Sequence, residues 1–400
     1  MPEEEIHMPG PIENDSESAP DVVDDEDTGR GDASIKPWDP GKIRITTKHF
    51  SMRDVVDQIK EGDIDLSPDF QRDYVWKKRQ RTRLIESILL GIPLPAFYFN
   101  QDNNGNYQVV DGVQRLSTIS LFMNDGHTLE DDDLEYLTDL HGKQYSSLDP
   151  AVIRRFRSTQ IVVHVIEPQT PEEVKYDIFS RVNTLGSPLS GQEIRHAMSH
   201  SRSRTFLKFL SEMPEFDEAT QWHYWRPDPE NKGYFLRDSG RMTNRELALR
   251  FCAFRHYSDS EYRKYSGLDA FLVAYTKQLD GRSDEASIIT DGEMSVLSAD
   301  FRRAMENAHQ ILDKAAFRRW PLTQLRRGPI NRAVFESQAI ALADYSLEVL
   351  SLKKEEIVLA FRGAFNDADY SRAVTVGTGD PRAVERRLEH TKAILAEVLR

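Results

Sequence analysis

Cysteine and long apolar runs are almost missing from this sequence. The single cysteine, Cys252, cannot form an intrachain disulfide, and it excludes zinc motifs built on cysteine pairs. The most apolar stretch, residues 84–99, is interrupted by a glutamate, a serine, a glycine and two prolines, so no run of about eighteen apolar residues could span a membrane. The N-terminus is acidic and lacks the apolar segment of a signal peptide. We therefore expect a cytoplasmic protein with no membrane partner.

Several catalytic signatures are also absent. The sequence contains no GxxxxGK[ST] phosphate loop, no HExxH zinc motif, no GxGxxG dinucleotide fingerprint and no GxSxG nucleophile elbow. The enzyme classes that carry these motifs are therefore not indicated. Any chemistry must rest on other clusters of polar side chains.

Negative charge is concentrated in two segments. The formal net charge is −14, and residues 1–40 account for −11, with thirteen acids against Arg30 and Lys36. Residues 130–139 add six acids and no lysine or arginine, which leaves the rest of the chain at +3. Because residues 1–41 offer little apolar surface to offset the entropy of ordering, we predict a disordered acidic tail there. The slightly cationic body does not exclude a nucleic-acid partner.

Residues 42–200 are predicted to form a mixed α/β domain, and residues 201–400 an α-helical domain. In the first part, Asn104-Gly105 predicts a hairpin turn, while Ser51 with Asp54 and Ser190 with Glu193 predict capped helix starts. In the second part strand signals fade and amphipathic segments predominate. The predicted strands are 42–47, 96–100, 107–110 and 161–166, and the predicted later helices are 205–211, 245–256, 267–279, 298–316, 334–350, 355–365 and 383–399.

Three polar clusters lie at element boundaries, and each places an arginine beside an amide side chain. They are Phe70-Gln71-Arg72, Asp111-Gly112-Val113-Gln114-Arg115 and Phe179–Thr184. Guanidinium groups match phosphate oxygens in a bidentate manner, and the predicted helix start after Gly112 offers free N–H groups to an anion. Asp111 could hold Mg²⁺ through water or orient an attacking water. The structural alternatives are a simple Asp-Gly turn and arginines in surface ion pairs.

The order of four motifs resembles one known family. They are PDFQRDYVW at 68–76, SILLGIPLP at 87–95, VDGVQRLST at 110–118 and the Phe179–Arg195 segment. Together they resemble the N-terminal domain of GmrSD-type restriction endonucleases over about residues 45–200. The resemblance implies a ParB/sulfiredoxin-like fold for the mixed α/β domain. The later segment 241–251 is also similar to the helical continuation of stand-alone members.

The resemblance implies nucleotide binding and NTP hydrolysis around a DGQQR-like motif, coupled to DNA restriction in prokaryotic antiphage defence. The cofactor would be Mg²⁺ with GTP, CTP, UTP or ATP. Val113 stands where the family pattern has a glutamine, and this departure bears on hydrolysis more than on binding. Carried over position by position, the catalytic residues would be Asp111, Gln114 and Arg115, and the nucleotide-binding residues would be Gln71, Arg72, Gly112, Arg115, Arg181 and Asn183.

DNA is the second expected partner. Relatives that cut DNA carry a C-terminal HNH-type nuclease domain, which needs a cluster of histidines as base and metal ligands. After residue 260 only His309 and His390 occur, so we assign no nuclease centre and expect a separate nuclease subunit if DNA is cut. Residues 317–332 contain five arginines and no acid. In this segment Arg318, Arg319, Arg326 and Arg327 are the predicted DNA-binding residues, and a non-enzymatic DNA-binding or adaptor protein stays the alternative.

Overall fold

The computed structural model describes residues 40–66, 76–130, 133–182, 190–228, 233–238, 241–282 and 287–400. Except for residues 40 and 41, the predicted disordered tail lies outside these ranges. The predicted fold class is confirmed, because a mixed sheet occupies the first part of the chain and helices dominate the rest. The strands are β1 (Ile45–Ser51), β2 (Ile64–Asp65), β3 (Phe97–Gln101), β4 (Tyr107–Asp111), β5 (Gln160–Ile166), β6 (Trp225–Pro227) and β7 (Phe235–Arg237).

Helices occur along the chain from residue 52 onward, with strands between some of them. Most predicted helical segments correspond to one of these helices. In chain order they are α1 (Met52–Glu61), α2 (Lys78–Leu90), α3 (Val113–Met123), α4 (Pro150–Ser158), α5 (Glu172–Val182), α6 (Gly191–Met198), α7 (Ser201–Ser211), α8 (Pro214–Ala219), α9 (Thr243–Arg255), α10 (Asp259–Tyr262), α11 (Leu268–Leu279), α12 (Asp291–Asn307), α13 (Arg332–Leu342), α14 (Leu347–Ser351), α15 (Lys354–Gly363), α16 (Ala368–Ala373) and α17 (Pro381–Val398).

The main sheet has the strand order β1-β5-β3-β4-β2. Strand β5 pairs antiparallel with β1 and parallel with β3, while β4 pairs antiparallel with β3 and parallel with β2. Neighbouring residues of β4 face opposite layers, as the two-residue period of a strand requires. Val109 belongs to the larger apolar cluster, which includes residues of α1 to α4, whereas Val110 belongs to a second cluster with Phe179 of α5 and Ile194 of α6.

Local signals in the sequence set several of these boundaries. Ser51 caps α1 in a reciprocal capping box with Asp54, and it is also the last residue of β1. The predicted strand at 42–47 was therefore placed too early. Gly105 adopts φ +93° in the predicted hairpin between β3 and β4. The capping box of Ser190 and Glu193 opens α6 as predicted.

The second half of the chain is mainly helical, with three differences from prediction. The β6–β7 hairpin interrupts it, pairing Trp225 with Arg237. The predicted helix at 334–350 is divided into α13 and α14, and the one at 298–316 ends in a π-helical turn at Ala308–Leu312. Within the described ranges, no helix has the length and apolar character needed to cross a membrane.

The described residues pack as two compact units. Those within 30–213 and 224–301 form one, which we call the sheet unit. Those within 214–223 and 302–400 form the other, which we call the C-terminal unit. Helices α7, α9 and α11 thus pack with the sheet unit, although the sequence predicts a separate helical domain beginning at residue 201.

Candidate functional site

Gly112 connects β4 to α3 at the centre of the DGVQR motif. Its φ of +103° is in the left-handed region, which side chains rarely allow. A Cβ atom added here would lie 2.2 Å from Cδ1 of Phe97, whose ring is completely buried. Both the backbone conformation and the close approach therefore require glycine at this junction.

Arg115 fixes the same junction from the first turn of α3. Its Nη2 lies 2.7 Å from Oδ2 of Asp111, and its guanidinium donates to the carbonyl oxygens of Pro95 and Ala96. The guanidinium carbon also lies 4.1 Å from the ring centroid of Phe97. Burial lowers the pKa of Arg115, and the Asp111 carboxylate opposes that shift. Arg115 is thus held by the protein and positions Asp111, whose side chain is 33% exposed.

The first turn of α3 carries polar groups that are available to a ligand. Gly112 precedes the helix and has no side chain to cap its N–H groups. The half-buried side chain of Gln114 has no hydrogen-bond partner among the described residues, whereas its backbone oxygen accepts from Thr118. Val113, in contrast, packs against the larger apolar cluster. The helix start therefore presents N–H donors and one carboxamide.

The third predicted cluster lies next to the second. Phe179 of α5 is fully buried and packs in one cluster with Val110, the residue before Asp111. Arg181, in the last turn of α5, has an exposed side chain. The fold thus brings Arg181 and the DGVQR motif onto elements that contact each other. Gln71, Arg72 and Asn183 lie outside the described residues.

Tyr98 and His164 are site neighbours that the motifs did not reveal. Tyr98 is paired with Asp111 across β3 and β4, where the register shifts by a bulge. Its ring centroid lies 5.0 Å from that of His164, and His164 Nδ1 is 3.0 Å from the hydroxyl of Thr47. Both rings are only partly buried. The signal was the alternation of Tyr98 with the buried Phe97 and Phe99, which assigns its side chain to the other sheet face.

One comparison with known proteins bears directly on this region. Residues 52–199 match the family model of the GmrSD restriction endonuclease, N-terminal domain. Over these residues the chain is similar to that domain, and we use the name GmrSD N-terminal domain for this segment. The matched range begins at the first residue of α1 and ends at the residue that follows α6, so it includes the whole β4–α3 junction. No curated protein matches the chain.

Helix α6 connects the GmrSD N-terminal domain to helices beyond it in the sheet unit. Arg195 is 2% exposed and its Nη1 lies 2.6 Å from Oδ1 of Asp269, with Glu246 at 3.6 Å from Nη2. Burial, with Arg204 and Arg245 nearby, lowers the pKa of His196 to about 2.

The predicted DNA-binding arginines of the C-terminal unit differ in exposure. Arg318 is 2% exposed and donates to the carbonyl oxygen of Gly328, so its side chain is not on the surface. Arg326 is exposed, and Arg319 and Arg327 are half-buried. Arg327 donates to the side chain of Gln221. The basic surface of this segment therefore consists of Arg319, Arg326 and Arg327, which we call the arginine surface.

Proposed function

We propose that this GmrSD N-terminal domain binds a nucleoside triphosphate with Mg²⁺ as part of a DNA restriction or antiphage defence system. The observation that carries the proposal is the β4–α3 junction, where Gly112 and Arg115 fix a helix start that no described side chain caps. Such a helix start attracts phosphate through its N–H groups and its dipole. The family match supports the connection to restriction.

The residues at the junction would have separate roles. The N–H groups after Gly112 and the Gln114 carboxamide would contact phosphate oxygens, and Arg181 would contribute positive charge. Arg115 would act as a positioning residue, because its guanidinium already binds Asp111 and two backbone carbonyls. Asp111 is a single carboxylate, so Mg²⁺ would be held mainly by phosphate oxygens and water, as this ion commonly is.

Hydrolysis would depend on Asp111 and Gln114, which remain from the family motif. Val113 faces the apolar cluster with its side chain and supplies no hydrogen bond there. Occupancy of the site by nucleotide, with slow or no turnover, is therefore the form of activity that these residues support best. The bound nucleotide would then report on the state of DNA.

Replacing Gln114 with alanine should weaken nucleotide binding about tenfold without unfolding the domain, because this carboxamide has no hydrogen-bond partner within the described ranges. Isothermal titration of GTP, CTP, UTP and ATP with Mg²⁺ measures the effect, and circular dichroism checks the fold. Gln324→Ala, at an exposed glutamine of the C-terminal unit, is the matched control. Arg115→Ala is a poorer probe, because it also removes the contacts that hold the junction.

Two results would contradict the proposed site. One is wild-type protein that binds none of the four nucleotides at submillimolar concentration. The other is a Gln114→Ala protein that binds the preferred nucleotide as tightly as the wild type does. A loss in the Gln324→Ala control would show that the effect is not specific to the junction.

DNA binding without catalysis is the second candidate, and the exposure of Arg326 favours it. Each arginine that contacts a phosphate contributes about −0.9 to the slope of log affinity against log salt concentration. We therefore expect Arg326→Ala to reduce that slope by about one and to weaken binding to all DNA sequences equally. Fluorescence anisotropy with duplex DNA at several salt concentrations measures it. Arg382→Ala, at an exposed arginine of α17, is the control, and equal slopes for both variants would remove the arginine surface from consideration.

A further inference from the structure

The sheet unit contains a cavity of about 350 Å³ outside the GmrSD N-terminal domain. Residues of α9, α10, α11 and the first turns of α12 line it. Its volume is within the range of small-molecule sites, which is about 300–1,000 Å³. None of its lining residues belongs to the DGVQR junction, so the cavity is separate from the proposed nucleotide site. The residues that matter most are Cys252, Tyr257, Phe271, Tyr275, Gln278 and Val296.

Aromatic side chains form much of the wall. Tyr257, Tyr265 and Tyr275 are half-buried, and Phe271 is 7% exposed. The rings of Tyr265 and Phe271 lie 5.5 Å apart at 60°, so they support each other without closing the space. Flat rings such as nucleobases stack favourably on side chains of this kind. The wall is therefore suited to a planar ring.

Apart from His256, Glu261 and Glu293, the lining residues are uncharged, and several offer hydrogen bonds. Burial raises the pKa of the Cys252 thiol, and burial together with Cys252 and Glu293 raises that of the Tyr275 hydroxyl, so both groups stay neutral at pH 7. The Gln278 carboxamide and the Tyr275 hydroxyl have no hydrogen-bond partner among the described residues. Since burying an unpaired charge is costly, the inserted part of a ligand should be neutral and carry donors and acceptors.

The mouth of the cavity disfavours phosphate. Glu261 and Glu293 both line the cavity. Glu261 is bound to Lys264, and Glu293 accepts hydrogen bonds from the backbone N–H and the hydroxyl of Thr290. The charge of Glu261 is balanced by Lys264, whereas no lysine or arginine among the described residues pairs with Glu293, so the Glu293 carboxylate repels an anionic ligand. Val296 and Ile288 are apolar lining residues with 56% and 49% of their surfaces exposed, which marks where the cavity meets solvent.

We propose that this cavity binds a flat, uncharged heteroaromatic ring of nucleobase or nucleoside size, and that it rejects the corresponding phosphorylated nucleotide. The ring stacks among the tyrosines and Phe271, and Gln278 and Tyr275 hydrogen-bond its polar edge. The site is independent of the proposed nucleotide site, because a nucleoside has no phosphate for the α3 helix start to bind.

Isothermal titration of the full chain with adenosine, guanosine, cytidine and thymidine, and with their 5′-monophosphates, tests the proposal. We expect at least one nucleoside to bind, its monophosphate to bind about tenfold more weakly or worse, and Val296→Trp to reduce nucleoside affinity by about tenfold or more. Val349→Trp, at a 43% exposed valine of the C-terminal unit, and Gln114→Ala should leave nucleoside binding unchanged.

Gln278 provides a second readout, since its side chain lines the cavity and has no hydrogen-bond partner among the described residues. Gln278→Ala should weaken nucleoside binding about tenfold and leave triphosphate binding at the α3 helix start unchanged. Absence of binding by all four nucleosides, nucleoside affinity that Gln278→Ala does not lower, or equal affinity for nucleoside and monophosphate in the Gln114→Ala protein would each overturn the proposal. These results say nothing against the α3 site, which is tested with triphosphates.

Discussion

Gly112→Ala should lower the free energy of unfolding of the sheet unit by about 3 kcal/mol and reduce nucleotide affinity by at least about tenfold. About 1–2 kcal/mol comes from the left-handed backbone, and about 1–3 kcal/mol comes from the new methyl group, which would meet Phe97 at 2.2 Å. Relief of that overlap must move either the Phe97 ring or the start of α3. Either movement displaces the N–H groups proposed to hold phosphate.

Gly105→Ala is a matched control for this substitution. Gly105 has a similar φ of +93°, but an added Cβ would meet nothing within 4 Å. Urea titration of both variants separates the backbone cost, which they share, from the overlap with Phe97, which only Gly112→Ala has. Equal loss of stability in the two variants would show that close packing against Phe97 does not matter. Unchanged nucleotide affinity in Gly112→Ala would refute the role of the α3 start.

Glu336→Leu should destabilise the C-terminal unit by about 3–5 kcal/mol, because it leaves the Arg387 guanidinium buried without its carboxylate. Both side chains are completely buried, with Nε of Arg387 2.8 Å from Oε2 of Glu336. Arg387 also donates to the carbonyl oxygen of Thr378, but a neutral carbonyl cannot replace the lost carboxylate as a counter-charge. The pair joins α13 to α17, so its loss should loosen both helices.

The double variant Glu336→Leu with Arg387→Met distinguishes charge from packing. It removes both charges and keeps apolar volume, so it should recover most of the stability lost by the single variant. Because the chain has two units, hydrogen exchange of α13 and α17 in increasing urea is a better measure than one global transition. A double variant as unstable as Glu336→Leu would show that the pair is needed for more than mutual neutralisation.

Local rules in the sequence predicted much of the sheet unit. The capping boxes at Ser51 and Ser190 and the hairpin glycine depend on neighbours within a few residues, so they could be found without tertiary information. Strand β2 has only two residues and exists through its pairing with β4, which no local pattern indicates. The segment that contains the division between α13 and α14 likewise has no glycine or proline to mark it.

The strand-to-helix junction of the candidate site was predictable, but its contacts were not. A strand ending in Asp-Gly before a helix predicted an anion site at residues 111–115, and β4 does end there before α3. The sequence could not show that Arg115 would stack on Phe97 and bind Asp111, because those contacts depend on where β3 lies. Burial of Arg318 and the cavity beside Cys252 also come from packing of distant segments, so an arginine-rich or aromatic composition alone could not distinguish surface from interior.

The ion pairs of Arg195 cross the C-terminal boundary of the family match. The family match ends at residue 199, yet the carboxylates that neutralise Arg195 belong to Glu246 and Asp269. A fragment cut at the family boundary would keep the arginine and lose both partners, with an apolar surface exposed where α9 and α11 had packed. We therefore expect residues 52–199 to depend on the following helices for their stability.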